Sequence, residues 1–347
     1  MRPPYKNKIG THDTKSKFNE LFLILNPNSQ GGATGRNWDQ TYNKIKEFLP
    51  RSHQIIFTRK ANEGSEITRN LLREGFKNIA AVGGDGTLNE IANGFFEFKI
   101  QGNVSFRNLD KLKVQLDLVN PEGVLWIIPS GTRNVLAASL GLKHRGIDAL
   151  MHIKHMKKRS IDVIGVILTD KKNHPATQNR IVLNAAEIGF GAEIIDRAKK
   201  VRSKVKSRLL STAAGIISTI PTYESNESEV IIDGTSISTK LTMAVVANGN
   251  YLGGGFNAAS RASMSDGLLD LVITKNSGSF KIMNKLIPLK GDSQYSDQDD
   301  ILYYQATQVL LKSKQRQVTL SLDGEPVGIL PAVFKVYQNI LNIKAER

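Results

Sequence analysis

No cysteine occurs in the 347 residues. That absence excludes disulfides, thiolate metal sites and a cysteine nucleophile, and it fits a reducing compartment. Aromatic residues are scarce at 7%, and there is no zinc-finger spacing, basic zipper or aromatic-rich nucleic-acid pattern, so nucleic acid is not an expected partner. No apolar run approaches the ~20 residues that cross a bilayer. The apolar segment Ala213–Ile217 is short and is broken by Ser218, Thr219 and Pro221. The first 17 residues carry five basic residues, one acid and no apolar stretch, so a disordered basic tail is expected rather than a secretory signal. Organellar targeting by that tail is left open, although Asp13 and the few arginines speak against it. Familiar phosphate motifs are missing too. No Gly-Lys dipeptide means no Walker A loop, no GxGxxG follows a strand, and neither His-Arg-Asp nor Asp-Phe-Gly occurs.

What is present points to an anion. Lys and Arg number 47 against 32 Asp and Glu, a net charge of 47 − 32 = +15, and such a surface attracts nucleotides or acidic membrane faces. With nucleic acid set aside, the expected anion is phosphate on a small molecule or on lipid headgroups. With 40% hydrophobic residues the chain can build two modest domains. One stretch organises it, Val82 to Gly94, reading VGGDGTLNEIANG. The apolar run Asn78–Val82 before it reads as a buried parallel strand, while Leu88, Ile91, Ala92 and Phe95 recur at helical spacing. Glycines around one aspartate at such a turn let backbone amides approach a phosphate chain, with a carboxylate for its metal ion.

Strands are expected at Glu20–Leu25, His53–Thr58, Asn78–Val82 and Gly123–Ile128, with helices between them. That alternation predicts a doubly wound, mostly parallel α/β sheet whose ligands gather at the strand C-terminal ends. Residues 99–121 interrupt the rhythm and read as an irregular insertion with a short helix. Beyond a boundary between Gly141 and Lys158 the pattern becomes a run of strands, at 160–169, 179–185, 229–232, 241–248, 267–273, 306–312 and 318–322. It argues for a second, antiparallel β-rich domain, interrupted by helix at 193–223 and an acidic loop at 292–300. The expected organisation is a tail at 1–17, an α/β domain at 18–143 and a β domain at 144–329, with 330–347 free to return to the first.

Gly-rich turns thus fall at three strand ends, at 26–32, 83–87 and 129–134, each with Asn, Thr or Asp beside Gly. With these residues in place, the chain resembles the diacylglycerol kinase catalytic domain family, shared with sphingosine and bacterial lipid kinases. Val82–Gly94 looks like its GGDGTxNEhxNG hallmark, Asn26–Gly32 like its NPxSGxG opening, and Pro129–Asn134 like its PxGTxN. Asn248–Gly255, Asp266–Asp270 and Asp323-Gly324-Glu325 follow in the family order. The fold this implies is a nucleotide-binding α/β domain followed by an antiparallel β-sandwich that takes the lipid. The activity it implies is ATP- and Mg²⁺-dependent transfer of the γ-phosphoryl group to the hydroxyl of a diacylglycerol-like or long-chain-base-like lipid at a membrane surface.

Phosphoryl transfer to an alcohol needs charge neutralisation, in-line placement and a base. Asp85 can hold the ATP phosphates through Mg²⁺ while the amides of Gly84, Gly86 and Thr87 line them. Asn26, Ser29, Thr58 and Thr132 match nucleotide-side positions by resemblance, and Glu90 faces either nucleotide or solvent. Asp323 and Glu325 lie two apart. On an extended segment they share one face, so both carboxylates reach one cleft. By resemblance Glu325 is the candidate general base and Asp323 a metal or base partner. The resemblance also implies a structural Mg²⁺ on the Asp266 side chain and the carbonyls of Ser263 and Leu268, a hard-oxygen set. Asp162 matches a position tied either to that metal network or to the acceptor. Two residues depart from the family pattern: Val135 and Gly191 stand where Asp is common, the latter within a GFDA stretch.

Arg197, Lys199, Lys200, Arg202, Lys204, Lys206 and Arg208 line one side of an expected helix, Glu193–Leu210, and Ile194, Ala198, Val201, Val205 and Leu209 the other. Such a basic amphipathic helix can lie on an anionic bilayer, with Lys154–Arg159 extending the patch. An ordinary helix over the sandwich is the competing reading. His152 and His155 read as surface residues rather than metal ligands. The expected location is cytoplasmic and peripherally membrane-associated, with a homodimer left open. The rival functions are an NAD kinase, which uses a similar GGDGT turn, and a catalytically inactive lipid- or nucleotide-binding regulator.

Overall fold

The computed structural model describes residues 20–101, 113–131, 133–170, 177–202, 208–252, 256–275 and 300–345. The basic tail, Thr132, Gly253–Gly255 and residues 292–299 of the acidic loop lie outside them. The first half runs β1 (Leu21–Leu25), α1 (Ala33–Arg36), α2 (Trp38–Ile45), β2 (His53–Phe57), α3 (Glu63–Arg73), β3 (Asn78–Gly83), α4 (Asp85–Asn93), β4 (Phe96–Gln101), β5 (Lys113–Leu118), β6 (Val124–Pro129), α5 (Val135–Ser139) and α6 (Ile147–Met151). Strands β1, β3 and β6 are nearly continuous buried runs, as parallel strands covered on both faces require. They form the parallel order β6-β3-β1-β2. Leu25 pairs with both Phe57 and Val82, and Val82 with Ile128. The four carboxyl ends therefore finish level, and the loops that follow emerge on one edge.

The expected irregular insertion at 99–121 is corrected where the structure describes it, outside residues 102–112. Strands β4 and β5 pair antiparallel from Phe96↔Leu118 to Gln101↔Lys113, with Phe96, Val114 and Leu116 buried. The period-two alternation of Phe96, Phe98 and Ile100 carries the strand; no helix forms there among the described residues.

The second half runs β7 (Lys157–Asp170), β8 (Thr177–Val182), β9 (Ala185–Gly189), α7 (Phe190–Arg202), α8 (Arg208–Thr219), β10 (Asn226–Ile232), β11 (Thr235–Ala247), β12 (Tyr251–Leu252), β13 (Phe256–Asn257), β14 (Leu269–Lys275), β15 (Ile301–Ala306), β16 (Gln308–Ser313), β17 (Thr319–Leu322) and β18 (Glu325–Ala345). Pairing is antiparallel throughout this half. One face closes a sandwich core that includes Val166, Val246, Leu271, Leu311, Leu320 and Phe334. The opposite face of β9 and β11 packs Phe190, Met243 and Val245 beneath the start of α7. The strand expected at 179–185 is two, broken at 183–184, where Asp323 takes the Leu183 and Asn184 amides.

Strand β18 joins the two halves. Its 21 residues pair with β16 and β7 in the sandwich, then lie parallel to β6 at Ile343↔Leu125 and Lys344↔Trp126. At the seam the β7 register shifts between Tyr337 and Leu341, and Asn339 takes a left-handed φ of 49°. Fully buried Asp162 fastens this point. Its carboxylate accepts the Asn339 amide at 2.6 Å and the Gly267 amide at 2.7 Å.

Candidate active site

Two of the Gly-rich turns touch backbone to backbone. A Cβ on Gly131 would lie 2.4 Å from the Gly84 Cα, closer than any side chain tolerates, so glycine is required for the loops to meet. Asn134, buried at φ 51°, holds the third loop by accepting the Gly131 amide and donating to its carbonyl. Asp85 opens α4, and its Oδ1 accepts the Leu136 amide at 3.1 Å. One carboxylate thus links the second loop to the helix after the third. Burial raises the Asp85 carboxyl above its ordinary value, opposed by the Leu136 and Val135 amides and by the charge of Arg133. The first-turn amides of a helix such as α4 make no intrahelical backbone bond, so they suit an anion.

The remaining nucleotide-side residues are placed unevenly. Asn26 and Ser29 shape the first loop: Asn26 Oδ1 accepts the Asn28 amide, and Ser29 Oγ donates to Thr34 Oγ1. Thr58 is buried at the end of β2 with its amide and hydroxyl on the Leu25 carbonyl. The Thr87 side chain is turned inward, since a Cβ on Gly83 would fall 2.6 Å from its own Cβ; only its amide is offered to the cleft. Gly84 and Gly86 lie at the turn itself. Glu90 is half-buried between α4 and α3. Its Oε1 accepts the Gly64 amide at 2.8 Å, where the unsatisfied first turn of α3 attracts a carboxylate.

Across from α4 stands the Asp323-Gly324-Glu325 turn. A Cβ on Gly86 would lie 3.6 Å from Glu325 Oε1, so this carboxylate faces the phosphate-side turn directly. Lys199 of α7 pairs with its other oxygen, Nζ to Oε2 at 2.6 Å; the sequence pattern marked Lys199 only as one cation of the basic helix. The expectation that Asp323 and Glu325 share one face is corrected. Asp323 and Gly324 have φ of 48° and 79° between paired Leu322 and Glu325. Two positive-φ residues make the tight hairpin turn that Asp-Gly favours, and the two side chains diverge. Asp323 points inward, accepting hydrogen bonds from Asn89 Nδ2 and the amides of Leu183, Asn184 and Ala185. Burial still holds its carboxyl above the ordinary value. Asn93 adds a link from α4, accepting the Ile181 amide. Asp323, Asn89 and Asn93 therefore bolt α4 to the sandwich and set where Glu325 stands.

The loop of Ser263, Asp266 and Leu268 is tied through Asp162 to the seam at Asn339. Asp266 is exposed, and its Oδ1 accepts the Leu268 amide at 3.0 Å. Asp162 anchors the loop through the Gly267 amide and the Met264 carbonyl. Among the described residues no three acidic or histidine side chains cluster as metal ligands.

The expected basic amphipathic helix is also altered. Described as α7, it ends at Arg202, and Lys204 and Lys206 lie outside the described residues. Arg197 bonds Glu193, Lys199 bonds Glu325 and Lys200 bonds Asp196. Its apolar side is covered within the chain: a Cβ on Gly215 of α8 would lie 2.7 Å from the Ile194 carbonyl and 3.0 Å from Ala198 Cβ.

Glu187 in β9 was not anticipated. Burial pushes its carboxyl up to about 7, against the pull of Arg133.

Both halves of the chain match known protein families. The family description "Diacylglycerol kinase catalytic domain" matches residues 20–166, and "YegS C-terminal NAD kinase beta sandwich-like domain" matches 184–345. The chain is 25% identical over 325 residues to "Diacylglycerol kinase" of Bacillus subtilis (strain 168), covering 92% of this chain and 94% of that one. It is 25% identical over 272 residues to "Probable lipid kinase YegS-like" of Chromohalobacter salexigens, covering 78% and 77%. A crystal structure of a diacylglycerol kinase from Bacillus anthracis str. Sterne superposes with a TM-score of 0.62 at 20% identity, covering 95% of this chain and 98% of that one. With both domains matched in order, the chain belongs to the diacylglycerol kinase catalytic domain family, built as an α/β domain followed by an NAD-kinase-like β-sandwich.

Proposed function

We propose that the protein is an ATP-dependent lipid kinase that phosphorylates the hydroxyl of a diacylglycerol-like lipid. One observation carries the reading: Glu325 of the sandwich faces Gly86 at the start of α4, so a carboxylate from one domain meets the phosphate-side turn of the other. In the reaction the acceptor O–H gives its proton to Glu325 while its oxygen attacks the γ-phosphorus. The β–γ bridging P–O bond breaks, and ADP leaves with the electron pair. The α4 amides hold the phosphates, and Arg133 adds positive charge beside them. Mg²⁺ arriving with the nucleotide would neutralise phosphate charge. Asp85 fits it, because Mg²⁺ bound to phosphates needs only one or two protein carboxylates and keeps its waters. Asp266 with the Ser263 and Leu268 carbonyls is a separate candidate oxygen set for a structural cation. The net charge of +15 supports work at an anionic membrane surface, where such an acceptor resides.

The experiment is transfer of label from γ-labelled ATP to a panel of lipid alcohols in mixed micelles, with NAD included. Label in a lipid phosphate is expected. Label only in NADP would replace this reading with an NAD kinase, and no label in any acceptor would favour a nucleotide-binding regulator.

A further inference from the structure

On α7 each acid is matched to the cation four residues on, Glu193 with Arg197 at 2.9 Å and Asp196 with Lys200 at 2.9 Å. That spacing places side chains next to one another along a helix. Lys199 has Ile195 at the corresponding position, so its own helix offers it no such partner. Its ammonium crosses instead to Glu325 Oε2 at 2.6 Å, on the hairpin that faces α4.

Both ends of this bridge stand on fixed supports. Glu193 also accepts the Thr319 hydroxyl at 2.8 Å, which ties the first turn of α7 to β17. Arg197 donates to Thr222 Oγ1 at 2.9 Å and to the Ser218 carbonyl, which ties α7 to the end of α8. The other end is set by Asp323 and the donors it accepts. The two tips are exposed, 59% for Lys199 and 54% for Glu325. An exposed pair adds little to stability, so holding the fold together does not account for it. What the pair sets is the direction of the carboxylate. A glutamate has two oxygens on a flexible stem, and its last torsion is broad. With Oε2 on the ammonium, Oε1 is the oxygen turned to α4, 3.6 Å from where a Cβ on Gly86 would lie. Among the described residues no atom of Lys199 comes within 4 Å of that point. The ammonium serves the carboxylate, not the turn.

We propose that Lys199 is a positioning residue for the transfer step: it holds Glu325 by one carboxylate oxygen and leaves the other aimed at the acceptor hydroxyl. The inference rests on the lipid-kinase reading, in which Glu325 takes that proton. Lys199 itself touches neither substrate. Its contribution is alignment, which governs rate far more than it governs binding.

The test is a double-mutant cycle in the full chain, read by label transfer from γ-labelled ATP to a short-chain diacylglycerol in mixed micelles. Wild-type transfer is measured first: its absence overturns the kinase reading and the role of Lys199 together, whereas every result below bears on Lys199 with that reading intact. Lys199→Met should lower kcat ~10-fold, as loosening a reacting group does, with the KM for ATP and for diacylglycerol each within ~2-fold of wild type. Lys199→Arg keeps the cation and should recover kcat to within ~3-fold. In a Glu325→Gln background the change Lys199→Met should cost less than ~2-fold, because the group it aligns is already gone. Melting temperatures should not move, both side chains being exposed. An equal ~10-fold loss in the Glu325→Gln background would overturn the proposal and make Lys199 an independent contact to the phosphates. A wild-type kcat in Lys199→Met, or an effect confined to the KM for ATP, would overturn it too. So would an effect confined to the KM for diacylglycerol, which would mark Lys199 as a contact to the lipid surface.

Discussion

The two walls of the cleft are built by different means. The nucleotide wall is backbone: glycines that let loops touch, α4 amides at a helix start, and strand ends brought level by parallel register. The facing wall is side chains from distant segments, Lys199 and Glu325, positioned by the buried Asp323. The first arrangement tolerates little change in shape and much change in side chain; the second is the reverse. A wall made of side chains can alter its ligand by single substitutions, while a wall made of backbone cannot.

The sharpest way to break that comparison is Glu325→Gln. If the sandwich wall supplies the base, kcat should fall about 10³-fold with the melting temperature unchanged, because the side chain is 54% exposed. A fall below tenfold in a stopped radiolabel assay would remove Glu325 from the base role.

Glu187→Gln comes next. The folded carboxyl sits at about 7 against an ordinary value of 4.5, so between these values the folded state holds the extra proton. Wild-type stability is then highest below about 4.5 and is lost as pH rises to about 7. That gap is worth at most about 3 kcal/mol, less for the carboxyl's partial exposure. Urea denaturation at several pH values should show this slope in the wild type, and a flatter one in the variant.

Asp323→Asn should cost about 2–3 kcal/mol, because buried amides lose an ionised acceptor and face an amide donor. Near-wild-type urea stability would mean that Asp323 does not hold the domains together. Gly131→Ala, at the backbone wall, should cost about 1–3 kcal/mol of stability by overpacking and raise the KM for ATP, leaving acceptor KM alone. A larger effect on the acceptor would blur the division between walls. Lys199→Met should be smallest on stability, under about 1 kcal/mol for an exposed pair, with its effect read in kcat through the loss of the cation beside Glu325.

The sequence made the backbone wall legible and much of the side-chain wall obscure, for one physical reason. A strand, a glycine turn and a helix start are neighbours in the chain, so GGDGT announces its own geometry. The bond from Glu90 to the start of another helix, at Gly64, could not be read locally. Asp323 was misplaced although the signal was available, since Asp-Gly between two strands favours a tight hairpin over an extended run. The paired strands β4 and β5 were readable too, from the alternation of Phe96, Phe98 and Ile100. Glu187 gave no local sign, and Lys199 read only as one cation of a basic helix, because its partner Glu325 lies across the fold.

Strand β18 has a consequence for how the molecule assembles. The parallel sheet of the first half receives its neighbour to β6 only at Ile343 and Lys344, after the whole sandwich has emerged in synthesis. The nucleotide side therefore waits, one edge of its sheet open, until the last strand arrives. The two halves should then lock in one cooperative step, and a ribosome-bound chain stopped before residue 340 should bind no nucleotide.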